Sequence, residues 1–308
     1  MKKLIDIFPG LIEIAGTFGV EIECEGQNLK EMDTVFWKTV DDGSLRGKFP
    51  HSRAEWVFKK PLSFSNAVKA LNSLALTQKK NEAILNFSYR TSAHVHINVQ
   101  DLTEDQILNL IYTYVLIEEV LIRFCGPSRK ANRFCLSVCD GEGTLDYLHH
   151  MFRLGVSTVK NFHENEVRYA ALNIASIRKY GSIEIRSMRG TLDIDVLTTW
   201  LCALGNLRAF AMERTNVHEI HDLFVSNTPE SFIRTVLDDV YEDFAYEGMI
   251  QDVRKNFSIS LELPHAYQIK EEPVVKKETA VGVIDSLLKA KEEKIGGLKY
   301  DYIMIDDL

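Results

Sequence analysis

Several short segments of this chain alternate strictly between apolar residues and residues that bind metals or phosphates. Residues 17–23 read Thr-Phe-Gly-Val-Glu-Ile-Glu. A period of two puts Phe18, Val20 and Ile22 on one face of a strand and Gly19, Glu21 and Glu23 on the other. Residues 93–99, Ala-His-Val-His-Ile-Asn-Val, repeat the pattern, with His94, His96 and Asn98 opposite Val95, Ile97 and Val99. At 181–187, Glu184 and Arg186 oppose Ile183 and Ile185, and Glu55 falls in a further strand near Ala54 to Phe58. Strands of this kind must bury their apolar faces against a second layer, and they leave one face polar.

Helical segments can supply that layer. The spacing predicts helices over 64–77, capped by Ser63 or Ser65, and over 103–124, opened by Thr103 and Gln106 at capping-box spacing and stopped before Gly126-Pro127. A long helix is predicted from Asp195 to about Arg214. Further strands are expected at 35–40, ending in the turn Asp41-Asp42-Gly43-Ser44, and at 168–175, joined to 181–187 through Lys179-Tyr180-Gly181. Composition shifts after about residue 255. Residues 270–279 suit a solvated linker and 281–294 a short helix, so 1–255 is expected as the core domain and 256–308 as an appendage.

The formal net charge of −8 gives no global basic field for nucleic acid or an anionic membrane. No uninterrupted apolar run approaches the ~20 residues that span a bilayer. The N-terminal apolar stretch is broken by Asp6, Pro9 and Glu13 and makes a poor secretory signal, so a cytoplasmic protein is expected. Five cysteines without a CxxC spacing read as buried free thiols.

The residue types on the polar faces point to chemistry. A plain solvated face mixes Lys, Thr, Ser, Gln and Glu, whereas these strands offer carboxylates, imidazoles and a guanidinium. Glu21 and Glu23 side by side repel and gain from an added cation. So many carboxylates favour Mg²⁺ or Mn²⁺, although the His-x-His pair also suits zinc. Glu118 interrupts the apolar stripe of the 103–124 helix and requires a partner, either structural or a substrate-binding arginine. Arg129, Arg133, Arg186 and Arg189 are candidates for clamping phosphate or carboxylate.

In order along the chain, Phe18-Gly-Val-Glu-Ile-Glu23, Asp42-Gly-Ser-Leu45, Glu55 with Pro61-Leu62, His94-Val-His-Ile-Asn98, Glu118, Tyr169-Ala-Ala-Leu-Asn173 and Ile183-Glu-Ile-Arg186 with Gly190-Thr-Leu-Asp193 resemble the amidoligase family. These are carboxylate–amine ligases related to glutamine synthetase and glutamate–cysteine ligase, and the resemblance spans about residues 16–210. It implies an α+β fold, a curved, mainly antiparallel, glutamine synthetase-like sheet with helices on one face, that binds ATP with Mg²⁺ on its open face. The implied metal set is Glu21, Glu23, Glu55, His94 and Glu184. His96, Asn98, Arg133, Asn173 and Arg189 would serve the nucleotide, with Arg186, Glu55 and Glu118 in catalysis. The implied reaction phosphorylates a small-molecule or peptide carboxylate, and an amine then displaces the phosphate. Ser182 and Ala93 depart from the related ligases, which carry a basic residue and a glycine there. Two other readings are a metal-dependent hydrolase built on His94 and His96, and a non-enzymatic assembly protein docking a partner through Tyr300–Leu308.

Overall fold

The computed structural model describes residues 2–138, 140–162 and 169–267. The compact unit runs Met1–Gln268. Cys139, the 281–294 helix and the Tyr300–Leu308 tail lie outside the described residues.

A short helix α1 (Leu4–Ile7) precedes strands β1 (Phe18–Gln27), β2 (Trp37–Val40) and β3 (Arg53–Phe58). Helix α2 (Phe64–Lys80), strands β4 (Ile84–Asn86) and β5 (Ser92–Asn98), and helix α3 (Glu104–Cys125) follow. After α4 (Glu142–Leu154) come β6 (Leu172–Asn173), α5 (Ser176–Tyr180), β7 (Ser182–Arg189) and α6 (Ile194–Met212). Five helices complete the described chain: α7 (Val217–Ser226), α8 (Pro229–Leu237), α9 (Tyr241–Phe244), α10 (Met249–Ser260) and α11 (Glu262–Ala266). The last two straddle the compositional shift at 255, and Val253, Asn256, Ser260 and Leu263 are buried. No helix among the described residues is long and apolar enough to cross a membrane.

The strands form one sheet in the order β2-β3-β1-β5-β7-β6, with β4 paired to the far end of β1. Every strand pairing is antiparallel. The sheet is open and uncurled, where the resemblance implied a curved one. Curvature needs repeated bulges or glycine kinks, and the described pairings contain one register shift, between β5 and β7.

Burial explains the two faces. Phe18, Val20 and Ile22 on β1, Ala54 and Trp56 on β3, Val95 and Ile97 on β5, and Ile183 and Ile185 on β7 are all within the core. Helices α2, α3 and α6 cover this side. Helix α3 is buried almost all round, as expected of a helix packed between a sheet and further helices. Its capping box forms as the sequence predicts: Gln106 N–H donates to Thr103 Oγ1 at 3.3 Å and Thr103 N–H donates to Gln106 Oε1 at 3.0 Å. Gly205 of α6 lies under the Phe18 ring, where an added Cβ would sit 3.4 Å from the ring edge.

Two expectations change. The predicted strand at 168–175 shrinks to Leu172–Asn173, because Leu136 and Ala170 meet in an isolated parallel bridge and Ala175 already begins the turn into α5. The segment 126–166 has the Gly, Arg, Asn and His content expected of a lid, yet it contains α4, whose Leu148, Met151 and Phe152 are buried. Four of the cysteines are free, and Cys24, Cys125 and Cys135 are buried.

Ile22 sits mid-strand with no exposure. Truncation to alanine is expected to cost about 2–5 kcal/mol and Ile22→Val about 0.5–1.5 kcal/mol in chemical denaturation. Equal, small losses would show that this face is not the closely packed one.

Candidate active site on the polar face of the sheet

Strand register places the polar side chains in rows. Across β2, β3, β1 and β5, the pairings Lys38↔Val57, Val57↔Glu21 and Glu21↔His94 make one row. Across β1, β5, β7 and β6, Gly19↔His96, His96↔Glu184 and Glu184↔Asn173 make the next. Val40↔Glu55 and Glu55↔Glu23 make a third. Residues from distant parts of the sequence thereby come within side-chain reach of one another.

The centre of the face is the group Glu21, His96 and Glu184, each offering one ligand atom within 4.8 Å of the others. His96 Nε2 lies 3.3 Å from Glu21 Oε1, and its Nδ1 lies 3.0 Å from Ser182 Oγ. His94 braces the same carboxylates from below. Its Nδ1 is 3.4 Å from Glu21 Oε2 and 3.5 Å from Glu184 Oε1, and its buried Nε2 has no hydrogen-bond partner. Glu184 also accepts hydrogen bonds from Arg186 Nη1 at 2.5 Å and Asn173 Nδ2 at 2.7 Å.

The register shift between β5 and β7 falls here: Val95 pairs with Ile185 and Ala93 with Met188, so Arg186 and Ser187 together oppose His94. Such a bulge re-aims a side chain and frees backbone carbonyls. Arg129, 1% exposed, takes up those carbonyls. Its Nε donates to Ser187 O at 2.9 Å, and its Nη2 donates to Arg186 O at 2.8 Å and Ser92 Oγ at 3.1 Å. A buried guanidinium thus pins the bulge that presents Arg186 to Glu184.

The charges are strongly coupled. Burial would raise Glu21, but hydrogen bonds to His94 and His96 and their charge hold it well below the ordinary carboxylate range. Burial acts likewise on Glu184, where Arg186 and then the two imidazoles prevail and lower it. Burial would lower His96, and the Glu21 hydrogen bond and the Glu184 charge raise it instead. Glu23 is raised by burial, with Asp42 adding to the effect. Glu55 is pushed up to about 9 by burial and by the charges of Glu21, Glu23 and Asp42. The face carries more carboxylate than its own cations neutralise.

Two carboxylates, an imidazole and this surplus of acid fit a divalent cation of the Mg²⁺ or Mn²⁺ kind. His96, expected at the phosphates, joins Glu21 and Glu184 in this group, and His94, expected as a ligand, has its Nδ1 within 3.5 Å of both carboxylates. Glu23 accepts a hydrogen bond from Ser92 N–H at 2.8 Å, and Glu55 flanks Glu21 from β3.

Four predicted site residues are not brought to this group. Asn98 Nδ2 donates to Ile14 O and Gly16 O, so its amide ties down the segment before β1. Arg189 Nη1 donates to Phe124 O and Cys125 O, the open carbonyls at the end of α3. Glu118 accepts Val138 N–H at 3.0 and 2.9 Å, giving the carboxylate in the apolar stripe a backbone partner. Arg133 lies 4.8 Å over the Phe134 ring. Residue type is equally suited to these structural tasks, and strand alternation cannot separate them from ligand binding. Ser182, Asn173 and Arg129 act on the site through its first residues. The adjacency of Ser182 to His96 follows only from the β5–β7 register.

Beside the cluster runs a groove of about 540 Å³, floored by Gly19, Glu21, Glu55, Val57, His96 and Ser182. A Cβ on Gly19 would meet His96 Cβ at 3.2 Å, so glycine keeps the floor clear. Leu11, Ile12 and Tyr180 make apolar walls, and Lys38, Lys59, Lys60 and Lys179 line the margin.

Two outcomes follow from these contacts. The Glu55 value lies near 9, above its ordinary 4.5. Its contribution to stability is therefore complete below pH 4.5 and is lost as pH rises toward 9. Glu55→Gln should gain in Tm over the wild type as pH rises across that window, by a few degrees in metal-free protein; parallel Tm–pH curves would refute the assignment. Arg189→Ala should cost about 1–3 kcal/mol, from loss of a charged donor to buried carbonyls, and leave Mn²⁺ affinity unchanged. Weakened Mn²⁺ binding would return Arg189 to the site.

A family model described as putative amidoligase enzyme matches residues 57–203. The match includes His94–Asn98, Tyr169–Asn173 and Ile183–Arg186, whereas Glu21, Glu23 and Glu55 lie upstream of it. Comparison with curated proteins returns no match. Residues 57–203, which carry His96 and Glu184 of the central cluster, are thus similar to the putative amidoligase enzyme family.

Proposed function

We propose that this protein is an ATP-dependent carboxylate–amine ligase, glutamine synthetase-like in its chemistry. The observation that carries the reading is the Glu21–His96–Glu184 cluster on the polar face of the sheet, opening onto a groove fringed by four lysines. The family match supports a ligase-type reaction. The cluster would hold Mg²⁺, or Mn²⁺, with Glu23 and Glu55 as flanking carboxylates. When bound, the cation would neutralise phosphate charge and fix the phosphate oxygens in place.

The chain's own residues divide the work. Lys38, Lys59, Lys60 and Lys179 give the groove a cationic margin suited to a polyphosphate or carboxylate, and its apolar walls suit a planar or aliphatic body. Lys59 also pairs with Asp33 at 2.6 Å, which anchors it at the rim. Arg186 stands beside Glu184, and the Glu184 charge keeps it protonated, so it can counter charge developing on a transferred phosphoryl group. Asn173 and His94 hold the carboxylates in position. In this reading a small-molecule or peptide carboxylate takes the terminal phosphoryl group of ATP and ADP leaves. An amine then attacks the acyl carbon, phosphate departs, and an amide bond remains.

The test is a matrix of carboxylates and amines with ADP and phosphate release as the readout. Glu21→Gln and Glu184→Gln should each reduce Mg²⁺-dependent turnover by about 100-fold or more, above the 10–100-fold typical of losing a supporting partner, while the protein stays folded. The same donor set also suits a zinc hydrolase. A melting-temperature rise with Zn²⁺ alone, and none with Mg-ATP, would overturn the ligase in favour of that enzyme.

A further inference from the structure

We propose that Ser182 is a positioning residue for His96, whose hydroxyl holds the imidazole so that Nε2 faces Glu21 and Glu184 and can give its lone pair to a divalent cation. This rests on the reading of Glu21, His96 and Glu184 as a cation site.

The contacts of the ring leave it one orientation. Nδ1 meets Ser182 Oγ at 3.0 Å, and Nε2 meets Glu21 Oε1 at 3.3 Å. Tyr180 presents its ring edge-to-face to the imidazole at 5.8 Å and 90°. On the other side, Gly19 lies directly across the ladder, its missing Cβ giving the ring room. A flipped ring would exchange the two nitrogens for carbons and lose both polar contacts.

Ser182 is itself firmly held. It is the first residue of β7, paired with Asn98, and 5% exposed. Its carbonyl accepts Ser176 Oγ–H at 2.6 Å. The preceding Gly181 is left-handed, at φ +65, and the Gln100 side chain occupies the space where a Cβ would be, 2.4 Å away, so glycine is required for the chain to enter β7 here. The turn, the strand start and the hydroxyl form one rigid support under His96.

The choice of a hydroxyl has chemical content, because it is both donor and acceptor. With the neutral ring carrying hydrogen on Nε2, that N–H donates to Glu21 and Nδ1 accepts the Ser182 O–H. With Nε2 given to a cation, the ring hydrogen resides on Nδ1 and donates to Ser182 Oγ. Rotation of a single O–H serves both arrangements. An ammonium at this position could only donate, which would fix Nδ1 as acceptor and keep hydrogen on Nε2, excluding the cation. A methyl group would leave a buried ring nitrogen without a partner. Partners of this kind, which orient a ligating histidine through its other nitrogen, typically control metal affinity by 10–100-fold.

The experiment uses the full chain and Mn²⁺ alone, with free Mn²⁺ read by electron paramagnetic resonance and the His96 ring nitrogens read by ¹⁵N NMR in the metal-free protein. Ser182→Ala should weaken Mn²⁺ binding about 10–100-fold, shift the His96 Nδ1 resonance and keep the wild-type melting profile. Ser182→Lys should bind no better than Ser182→Ala, and Ser182→Thr should recover affinity. Wild-type affinity in folded Ser182→Ala, or in Ser182→Lys, overturns the proposal while the cation site stands. An unshifted His96 Nδ1 resonance overturns it through the contact itself. A wild-type protein that binds no Mn²⁺ overturns the cation site and the proposal together.

Discussion

The structure depends first on the burial of one face of the β3-β1-β5-β7 sheet against α2, α3 and α6. Phe18, Val20, Ile22, Trp56, Val95, Ile97, Ile183 and Ile185 are nearly or wholly removed from water. Because strand side chains alternate, sealing this face commits every second residue to the other one. A slip of one residue in β1 would drive Glu21 and Glu23 into the core. Hydrophobic burial is therefore what holds the acidic face in register, even though none of the acidic residues contributes to it.

That acidic face is costly to assemble. Glu21, Glu23 and Glu55 stand on neighbouring strands, and burial with mutual repulsion pushes Glu55 up to about 9. His94, His96 and Arg186 offset part of the charge, and buried Arg129 secures the bulge from which Arg186 projects. Such concentration of like charge adds nothing to folding, and perturbed acids of this kind cluster at functional sites. The lysine fringe lies outside it, where a ligand would extend beyond the cluster.

Several residues with the right chemistry also serve the scaffold. Asn98 ties down the segment before β1, Arg189 closes the end of α3, and Glu118 holds the Val138 amide. Carboxylates, amides and guanidiniums satisfy buried backbone groups as well as they bind ligands. The Asn98 side chain shares the face of His94 and His96 but lies at the strand end, where open backbone carbonyls claim it first. Arg189 follows the bulge in β7, which breaks the alternation on which its placement would have relied.

Local pattern alone determined much of this protein: the strands at 18–23, 54–58, 93–98 and 183–186, the helix at 104–125 with its cap, and the polar set Glu21, Glu23, Glu55, His94, His96, Glu184 and Arg186. The period-two signal is a property of neighbouring residues and survives without knowledge of the partner strand. Which members of that set meet was decided by tertiary structure. The β1–β5–β7 register brought both His94 and His96 to Glu21 and Glu184, and placed Ser182 against His96. Such choices rest on two successive strand pairings, β1 with β5 and β5 with β7, which bring together Glu21 and Glu184, 163 positions apart in sequence. No local pattern encodes that distance, whereas the ladder of hydrogen bonds sets it directly.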